Sequence, residues 1–163
     1  MEIRRAAPTD VDLLHRYVVE LARDESFPGP VEATPAALHA ALFGERPIAE
    51  AVVAVIDGDP VGFALYTVAY STVVGRPTLH LEDLYVTAGS RGSGIGLQLL
   101  GHLAQVAVET GCGRFEWWVL RTNVDAIRFY HRLGARDVDE IAVMRLDGEQ
   151  LTALARDRDG AHD

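Results

Sequence analysis

Three stretches of this sequence carry residue types that act on charged ligands, and the most distinctive runs from Arg91 to Leu97. Glycine occupies every second position there from Gly92 to Gly96. Glycine has no Cβ, so its backbone N–H can approach a ligand closely, and a helix beginning at Ile95 leaves its first amides without intrahelical partners. The helix dipole and the Arg91 guanidinium add positive charge at the same place. The stretch therefore predicts a site for phosphate or pyrophosphate.

Two well-known glycine-rich phosphate loops do not fit this pattern. A P-loop would continue with Lys and then Ser or Thr, whereas Gly96 is followed by Leu97 and Gln98. A Rossmann fingerprint would need glycine at position 97. The pattern is instead R-x-x-G-x-G, and an ordinary helix start is the alternative interpretation.

The other two stretches carry acids and a phenol. The strand that precedes the glycine loop contains Glu82 next to Asp83, for which a solvated strand carboxylate is the alternative interpretation. Residues 122–135 predict a helix capped by Thr122 or Asn123 and ended by Gly134. Tyr130 lies two turns into that helix, and simple packing is its alternative role.

The elements that must position these stretches predict an α/β fold with a mixed, mostly antiparallel central sheet flanked by helices. One domain is expected over residues 1–155, with a mobile tail at 156–163. A hairpin turn at Asp57-Gly58-Asp59 joins two strands, and a βαβ crossover follows the glycine loop. The predicted strands are 3–5, 51–56, 61–70, 81–86, 115–120 and 142–144, and the predicted helices begin at Pro8, after Thr34, at Ile95 and after Thr122 or Asn123.

Composition excludes several classes of function. The 163 residues are 48% hydrophobic with a net charge of −9, which disfavours nucleic acid as a partner. The single Cys112 excludes an internal disulfide, and six scattered His residues predict no metal site. No run of about eighteen apolar residues predicts a membrane span, and the charged N-terminus is unlike a signal peptide. A soluble, cytoplasmic protein is expected.

Two motifs together resemble the GNAT superfamily of N-acetyltransferases. The first is R-x-x-G-x-G at 91–96, and the second is N-x-x-A-x-x-F-Y-x-x-x-G-A at 123–135. The resemblance implies the GNAT acyl-CoA N-acyltransferase fold and acetyl-CoA as co-substrate. It also implies that Asn123 contacts CoA and that Tyr130 lies beside the thioester sulfur. The CoA pyrophosphate would lie on Arg91, Gly92, Ser93, Gly94, Ile95, Gly96 and Leu97, and the pantetheine arm would pair with the main chain of Leu84, Tyr85 and Val86.

The segment 70–86 is similar to the diamine (spermidine/spermine) and thialysine acetyltransferase branch of that family. By this resemblance Glu82 binds or deprotonates the substrate amine, with Asp83 beside it, and Glu25 matches an acidic family position. Val73 stands where the branch commonly has an aromatic residue, and Ser71 stands where spermidine-type members have an acid. These departures favour a shorter amine or an amino-acid side chain over a polyamine. The branch also implies a homodimer.

The reaction so implied needs a neutral amine. An alkylamine of pKa near 10.4 is only about one part in a thousand neutral at pH 7, so Glu82 is expected to take its proton through a water. Tyr130, a phenol, would protonate the departing thiolate, and a main-chain N–H at 84–86 would meet the oxyanion. Cys112 has no activating neighbour in the sequence, so direct attack in a ternary complex is expected.

Two other functions stay open on the sequence alone. One is a non-catalytic acyl-CoA-binding sensor domain, and the other is acetylation of a protein or peptide amine. In the Trp117-Trp118 pair, one ring is expected in the core and the other under a helix or at a cleft wall.

Overall fold

The computed structural model describes residues 1–157, which form two compact units. The first unit is Met1–Asn123 and the second begins at Val124. Within residues 1–157, every helix falls short of the length and apolar character needed to span a lipid bilayer. The predicted tail lies outside the described residues, except for Arg156 and Asp157, which end the last helix. The single domain expected over 1–155 stays a prediction.

Strands and helices follow one another in the predicted order through the first unit. Thr34 caps the second helix as predicted, because its hydroxyl accepts the Ala37 N–H at 3.1 Å. Leu38 and Leu42 of that helix are buried. The bounds are β1 Glu2–Arg5, α1 Val11–Asp24, α2 Pro35–Phe43, β2 Glu50–Ile56, β3 Asp59–Ser71, β4 Arg76–Val86, α3 Ile95–Glu109, β5 Arg114–Trp117, α4 Val124–Arg132 and α5 Gly148–Asp157.

The five strands form one sheet in the order β1-β2-β3-β4-β5. The first four pair antiparallel, and β4 and β5 pair parallel across the α3 crossover, which confirms the predicted mixed sheet. β3 pairs with β4 as far as Val86, whereas β5 pairs with β4 only from Thr78 to Leu81. β4 and β5 are therefore no longer paired from Glu82 onward.

Helices cover both faces of the sheet. On one face α1 and α2 pack against β2, β3 and β4 through a core that includes Leu14, Tyr17, Phe63 and Tyr85. On the other face lies α3, whose Leu99 and Leu103 are fully buried among the strands. A leucine buried this completely stabilises a fold by about 1.5–3 kcal/mol. This packing holds the first turn of α3 beside the end of β4.

α1 ends in a Schellman motif that fixes the direction of its last side chains. The Phe27 N–H donates to the Ala22 carbonyl at 2.9 Å, and the Ser26 N–H donates to the Arg23 carbonyl at 3.1 Å. Ser26 takes a left-handed conformation with φ of 52°, where glycine is normally found. α4 ends with the same motif at Gly134, φ 88°, as the sequence predicted.

Ser26→Gly is expected to raise the free energy of unfolding by about 0.5–1 kcal/mol, since glycine adopts the left-handed region without Cβ strain. Urea denaturation followed by circular dichroism measures the change. Gly134→Ser is the matched control and should lower stability by a similar amount. Equal stability of Ser26→Gly and the native protein would contradict the strain at this turn.

Two strand predictions differ from the structure. The strand expected at 115–120 ends at Trp117, because β4 bulges away after Leu81 and no longer offers a partner. The strand expected at 142–144 is wrong, since residues 141–147 form no regular element. Their apolar, β-branched composition suits a strand, but a strand also needs an edge to pair with, which composition cannot show.

Candidate active site

The second half of β4 has one edge available for hydrogen bonding. Between Asp83 and Val86, β3 pairs with one edge, and no strand within residues 1–157 pairs with the other. Backbone N–H and C=O groups need partners, so this edge suits a ligand that carries amide groups of its own. The predicted main-chain segment Leu84 to Val86 lies on this edge.

A β-bulge at Glu82 decides which way the acids face. Tyr66 pairs with Leu81 and Leu65 pairs with Asp83, so Glu82 is an extra residue on β4. Side chains of paired residues share a face, and Leu65 packs in the core beneath α1 and α2. The bulge therefore turns Asp83 toward the α1 face, whereas unbroken alternation would have placed it on the α3 face with Leu81.

Asp83 has a strongly perturbed acidity. Burial raises the pKa of Asp83 to about 7, and the negative charges of Glu82 and Glu25 contribute in the same direction. A carboxyl group with this pKa exchanges protons readily near neutral pH. Burial combined with neighbouring like charges is typical of functional sites. The three predicted substrate-binding acids therefore lie within electrostatic reach of one another.

Glu25 occupies the C-cap of α1, and Asn123 holds it there. The Asn123 Nδ2 donates to Glu25 Oε1 at 3.0 Å. Burial raises the pKa of Glu25, and this hydrogen bond partly offsets the effect. A carboxylate at the negative end of a helix dipole is destabilised, so a cation bound beside Glu25 would be favoured. The predicted contact of Asn123 with CoA stays a prediction. In the structure the Asn123 side-chain amide is hydrogen-bonded to Glu25.

The glycine loop has the backbone geometry of an anion site. Gly92 and Gly94 have φ of 74° and 85°, and a Cβ added at either would meet no atom within 4 Å. The first hydrogen bond of α3 runs from the Gln98 N–H to the Gly94 carbonyl at 3.1 Å. The amides that precede Gln98 in the first turn thus point forward without intrahelical acceptors.

The remaining loop residues shape this turn. The Ser93 hydroxyl donates back to the Ser90 carbonyl at 2.5 Å, while Ile95 is buried and Leu97 is half-exposed. A Cβ at Gly96 would lie 3.9 Å from Val86 Cγ2, which shows how closely the helix start follows the edge of β4. The structure thus brings the predicted loop and the predicted strand segment together.

Arg91 is held by protein groups at the start of the loop. Its Nη2 donates to Asp24 Oδ2 at 2.5 Å and its Nε donates to the Val86 carbonyl at 3.0 Å. Its guanidinium carbon lies 5.6 Å from the centre of the Tyr85 ring. The hydrogen bond with Arg91 lowers the pKa of Asp24, and the same bond raises the pKa of Arg91. The arginine thus faces the end of α1.

Tyr85 contributes main chain to the β4 edge, while its side chain is buried on the α1 side. The Tyr85 hydroxyl donates to Glu20 Oε2 at 2.6 Å. Burial and this hydrogen bond raise the pKa of Tyr85 to about 12, so the phenol stays protonated. Its ring also packs against Tyr17, with centroids 5.1 Å apart.

An aromatic and an imidazole lie beside the acids. Trp118 is 64% exposed, and its ring meets the His80 ring edge-on at 4.9 Å between centroids. His80 Nε2 lies 3.7 Å from Glu82 Oε2. Trp117 instead packs against Phe115 and is half-buried, whereas the sequence predicted that one ring of the pair would lie in the core.

Tyr130 lies on α4 in the second unit. Its carbonyl accepts the Ala135 N–H at 3.2 Å in the Schellman motif that ends the helix, and its ring packs against Phe129 at 5.4 Å. Its predicted role beside a thioester rests on the motif. Within residues 1–157 no group of three or more His, Cys, Asp or Glu side chains is arranged to hold a metal ion.

Sequence reasoning missed Asp24, His80 and the orientation of Trp118. Asp24 could have been identified from the sequence, since an acid in the last turn of a helix opposes the helix dipole and is stabilised by a cationic partner. The contact between His80 and Trp118 could not, because it depends on the pairing of β4 with β5.

Comparisons with known proteins identify the family of this chain. The family model for the acetyltransferase (GNAT) family matches residues 16–135. The chain is 38% identical to a thialysine N-epsilon-acetyltransferase of Sus scrofa, across 94% of this chain and 96% of that protein. It is 27% identical to an L-ornithine N5-acetyltransferase of Arabidopsis thaliana, across 93% and 86%.

The fold also matches a solved structure. An integron cassette protein from the mobile metagenome of V. cholerae is 32% identical, with a TM-score of 0.79 over 95% of this chain and 97% of that one. The predicted fold class is thereby confirmed. From the family match and the identity to relatives over nearly its whole length, the chain belongs to the GNAT family of acetyltransferases and is an acyltransferase.

Proposed function

We propose that this protein transfers the acetyl group of acetyl-CoA to a primary amine of a small molecule, a diamine, polyamine or lysine-like amino acid. The observation that carries the proposal is the half-buried Asp83, near Glu82 and Glu25 where β4 separates from β5. Three acids at one place attract a cation, and the relatives named for thialysine and ornithine act on amino acids with a side-chain amine. The departures at Val73 and Ser71 favour the shorter amines of this class.

The residues of the first unit fit acetyl-CoA, the co-substrate of this family. The glycine loop offers forward-pointing amides for the pyrophosphate, with the Arg91 charge nearby. The edge of β4 at Leu84 to Val86 offers N–H and C=O groups to the amides of the pantetheine arm. When bound, the co-substrate supplies an acyl group on a good leaving thiol.

Asp83 is the residue we propose to receive the amine proton. Sequence reasoning gave this role to Glu82, but burial brings the pKa of Asp83 to about 7, close enough to working pH for a general base. Glu82 is 57% exposed as a side chain and serves to attract the ammonium. Tyr130 protonates the departing thiolate, and a main-chain N–H at 84–86 donates to the developing oxyanion.

Attack is direct, without an acetylated enzyme. Cys112 contacts the Thr110 hydroxyl at 3.4 Å, and the next residue, Gly113, donates to the Pro77 carbonyl. The cysteine therefore lies at the beginning of β4, about 17 Å along the strand from Glu82. At that distance the Cys112 thiol does not act as a nucleophile in a site that the acids form.

Cytoplasmic location and a homodimer complete the proposal. The dimer is supported by exposed apolar side chains in the second unit, where Ile141, Val143 and Met144 stand out to solvent. Sedimentation equilibrium measures the oligomeric state, and a monomer at micromolar concentration would rule the dimer out.

The test of the function is a panel of small amines and peptides with acetyl-CoA, read by the thiol released. Acetylation of diamines, ornithine, lysine or thialysine, with intersecting initial-velocity lines, is the expected result. CoA binding without turnover of any amine would favour the sensor domain. Turnover of peptides alone would favour protein acetylation, and parallel lines would contradict the ternary complex.

Gly94→Val is expected to weaken CoA binding by about tenfold or more. Valine is costly at a φ of 85°, and the loop would have to move its amides to accept it. Isothermal titration with CoA measures the affinity. Gly58→Val, also at positive φ but in the β2–β3 turn, is the matched control and should leave CoA affinity unchanged. Native affinity in Gly94→Val would remove the loop from the CoA site.

A further inference from the structure

Two acids one helical turn apart on α1 hold the two segments that lead into the glycine loop. Glu20 accepts the Tyr85 hydroxyl at 2.6 Å, near the end of β4. Asp24 accepts the Arg91 Nη2 at 2.5 Å, at the start of the loop. Residues four apart lie on one face of a helix, so both acids point from α1 toward the same chain segment. The Schellman motif after Asp24 keeps this last turn in place.

Without a cationic partner, the Asp24 carboxylate would make two unfavourable electrostatic interactions. A carboxylate in the last turn of a helix opposes the helix dipole, and a carboxylate near a pyrophosphate site repels the ligand. The ion pair between Asp24 and Arg91 offsets both unfavourable interactions, because the guanidinium neutralises the carboxylate. The same guanidinium reaches the Val86 carbonyl and packs over Tyr85, so it joins three elements: the end of α1, the end of β4 and the loop.

We propose that Asp24 is a positioning residue, which holds Arg91 so that the glycine loop presents its amides to the pyrophosphate. The proposal rests on the function proposed above, because it takes the loop to be the CoA site. Arg91 then acts mainly through the conformation of the loop, and the backbone amides are the groups that touch the ligand. Asp24 immediately precedes Glu25, so the same turn of α1 supports both substrate sites.

A direct role of Arg91 in phosphate binding predicts the opposite change in CoA affinity when the Asp24 carboxylate is removed. If the guanidinium binds phosphate directly, Asp24 competes for it, and removing the carboxylate should tighten CoA binding. If Asp24 positions the loop, removing it should weaken CoA binding although it removes a negative charge near an anionic ligand. The direction of the change therefore separates the two roles.

The experiment is isothermal titration of the whole protein with CoA at pH 7.5 and low salt. Asp24→Asn is expected to weaken binding about tenfold, since a charge-assisted hydrogen bond is lost. Arg91→Gln should weaken it similarly, and the double variant should be little worse than either single one, because both remove one contact. Glu50→Gln, which loses a 2.7 Å ion pair with Arg5, is the matched control and should bind CoA normally.

The outcomes separate this inference from the function beneath it. Failure of the native protein to bind CoA would overturn the proposed function, and this inference with it. Native or tighter CoA binding by a folded Asp24→Asn would overturn this inference alone. If Asp24→Asn does not fold, Arg91→Lys decides, since it keeps the charge but loses the Nε bond to Val86. Unchanged affinity in Arg91→Lys would overturn the positioning role.

Discussion

Asp83→Asn is expected to lower kcat/KM for the amine by at least about a hundredfold, because it removes the proton acceptor and leaves a neutral side chain of the same shape. In the native protein kcat/KM should rise with pH through about 7 as Asp83 ionises. The variant should lack this rise and keep only the increase at higher pH that follows from neutral amine. Steady-state kinetics from pH 5.5 to 9.5 measure both.

The same substitution should make the protein more stable at pH 8. The folded pKa of Asp83 lies above its unfolded value, so the native protein loses stability as pH rises from about 4 to about 7. Asp83→Asn does not undergo that loss, and a gain of up to about 4 kcal/mol at pH 8 is expected, since one pKa unit corresponds to about 1.4 kcal/mol. A variant that is less active and more stable cannot owe its inactivity to misfolding.

Glu82→Gln is the matched control for the proton acceptor. It removes the neighbouring charge but leaves Asp83 in place, so kcat/KM should fall less and should retain its rise near pH 7. If Glu82→Gln loses that rise and Asp83→Asn keeps it, the proton goes to Glu82, as the sequence alone suggested.

Tyr130→Phe is expected to lower kcat by about a hundredfold with little change in CoA affinity, since general acid catalysis is worth at least that much. The change removes one hydroxyl. The helix end should be unaffected, because the Schellman motif uses the Tyr130 carbonyl and leaves the side chain out. Steady-state kinetics measure kcat, and isothermal titration with CoA measures the affinity.

Tyr70→Phe is the control, as it removes an exposed hydroxyl from β3 and should leave kcat unchanged. An acetyl thioester of a more acidic thiol should narrow the gap between Tyr130→Phe and the native protein, because a better leaving group needs less help. Full activity of Tyr130→Phe would place the general acid elsewhere.

Local sequence determined the features that depend on neighbours along the chain. The glycine spacing at 92–96 located the loop and the start of α3, because backbone freedom and helix-start amides are properties of a few consecutive residues. Thr34 and Gly134 marked helix ends for the same reason. The order of strands and helices followed from hydrophobic periodicity and turn residues, which is why the mixed sheet was predictable.

Only the tertiary structure decided the features that depend on pairing between distant segments. The bulge at Glu82 turned Asp83 toward α1 and into a half-buried site near Glu25, and thereby changed which acid is the better proton acceptor. Arg91 met Asp24, a partner 67 residues away. The apolar stretch 142–144 has strand composition and yet forms no strand, because a strand also needs a neighbouring edge to pair with, which composition does not specify. Residue types and spacing specified the chemistry available, and long-range contacts selected which residues can perform it.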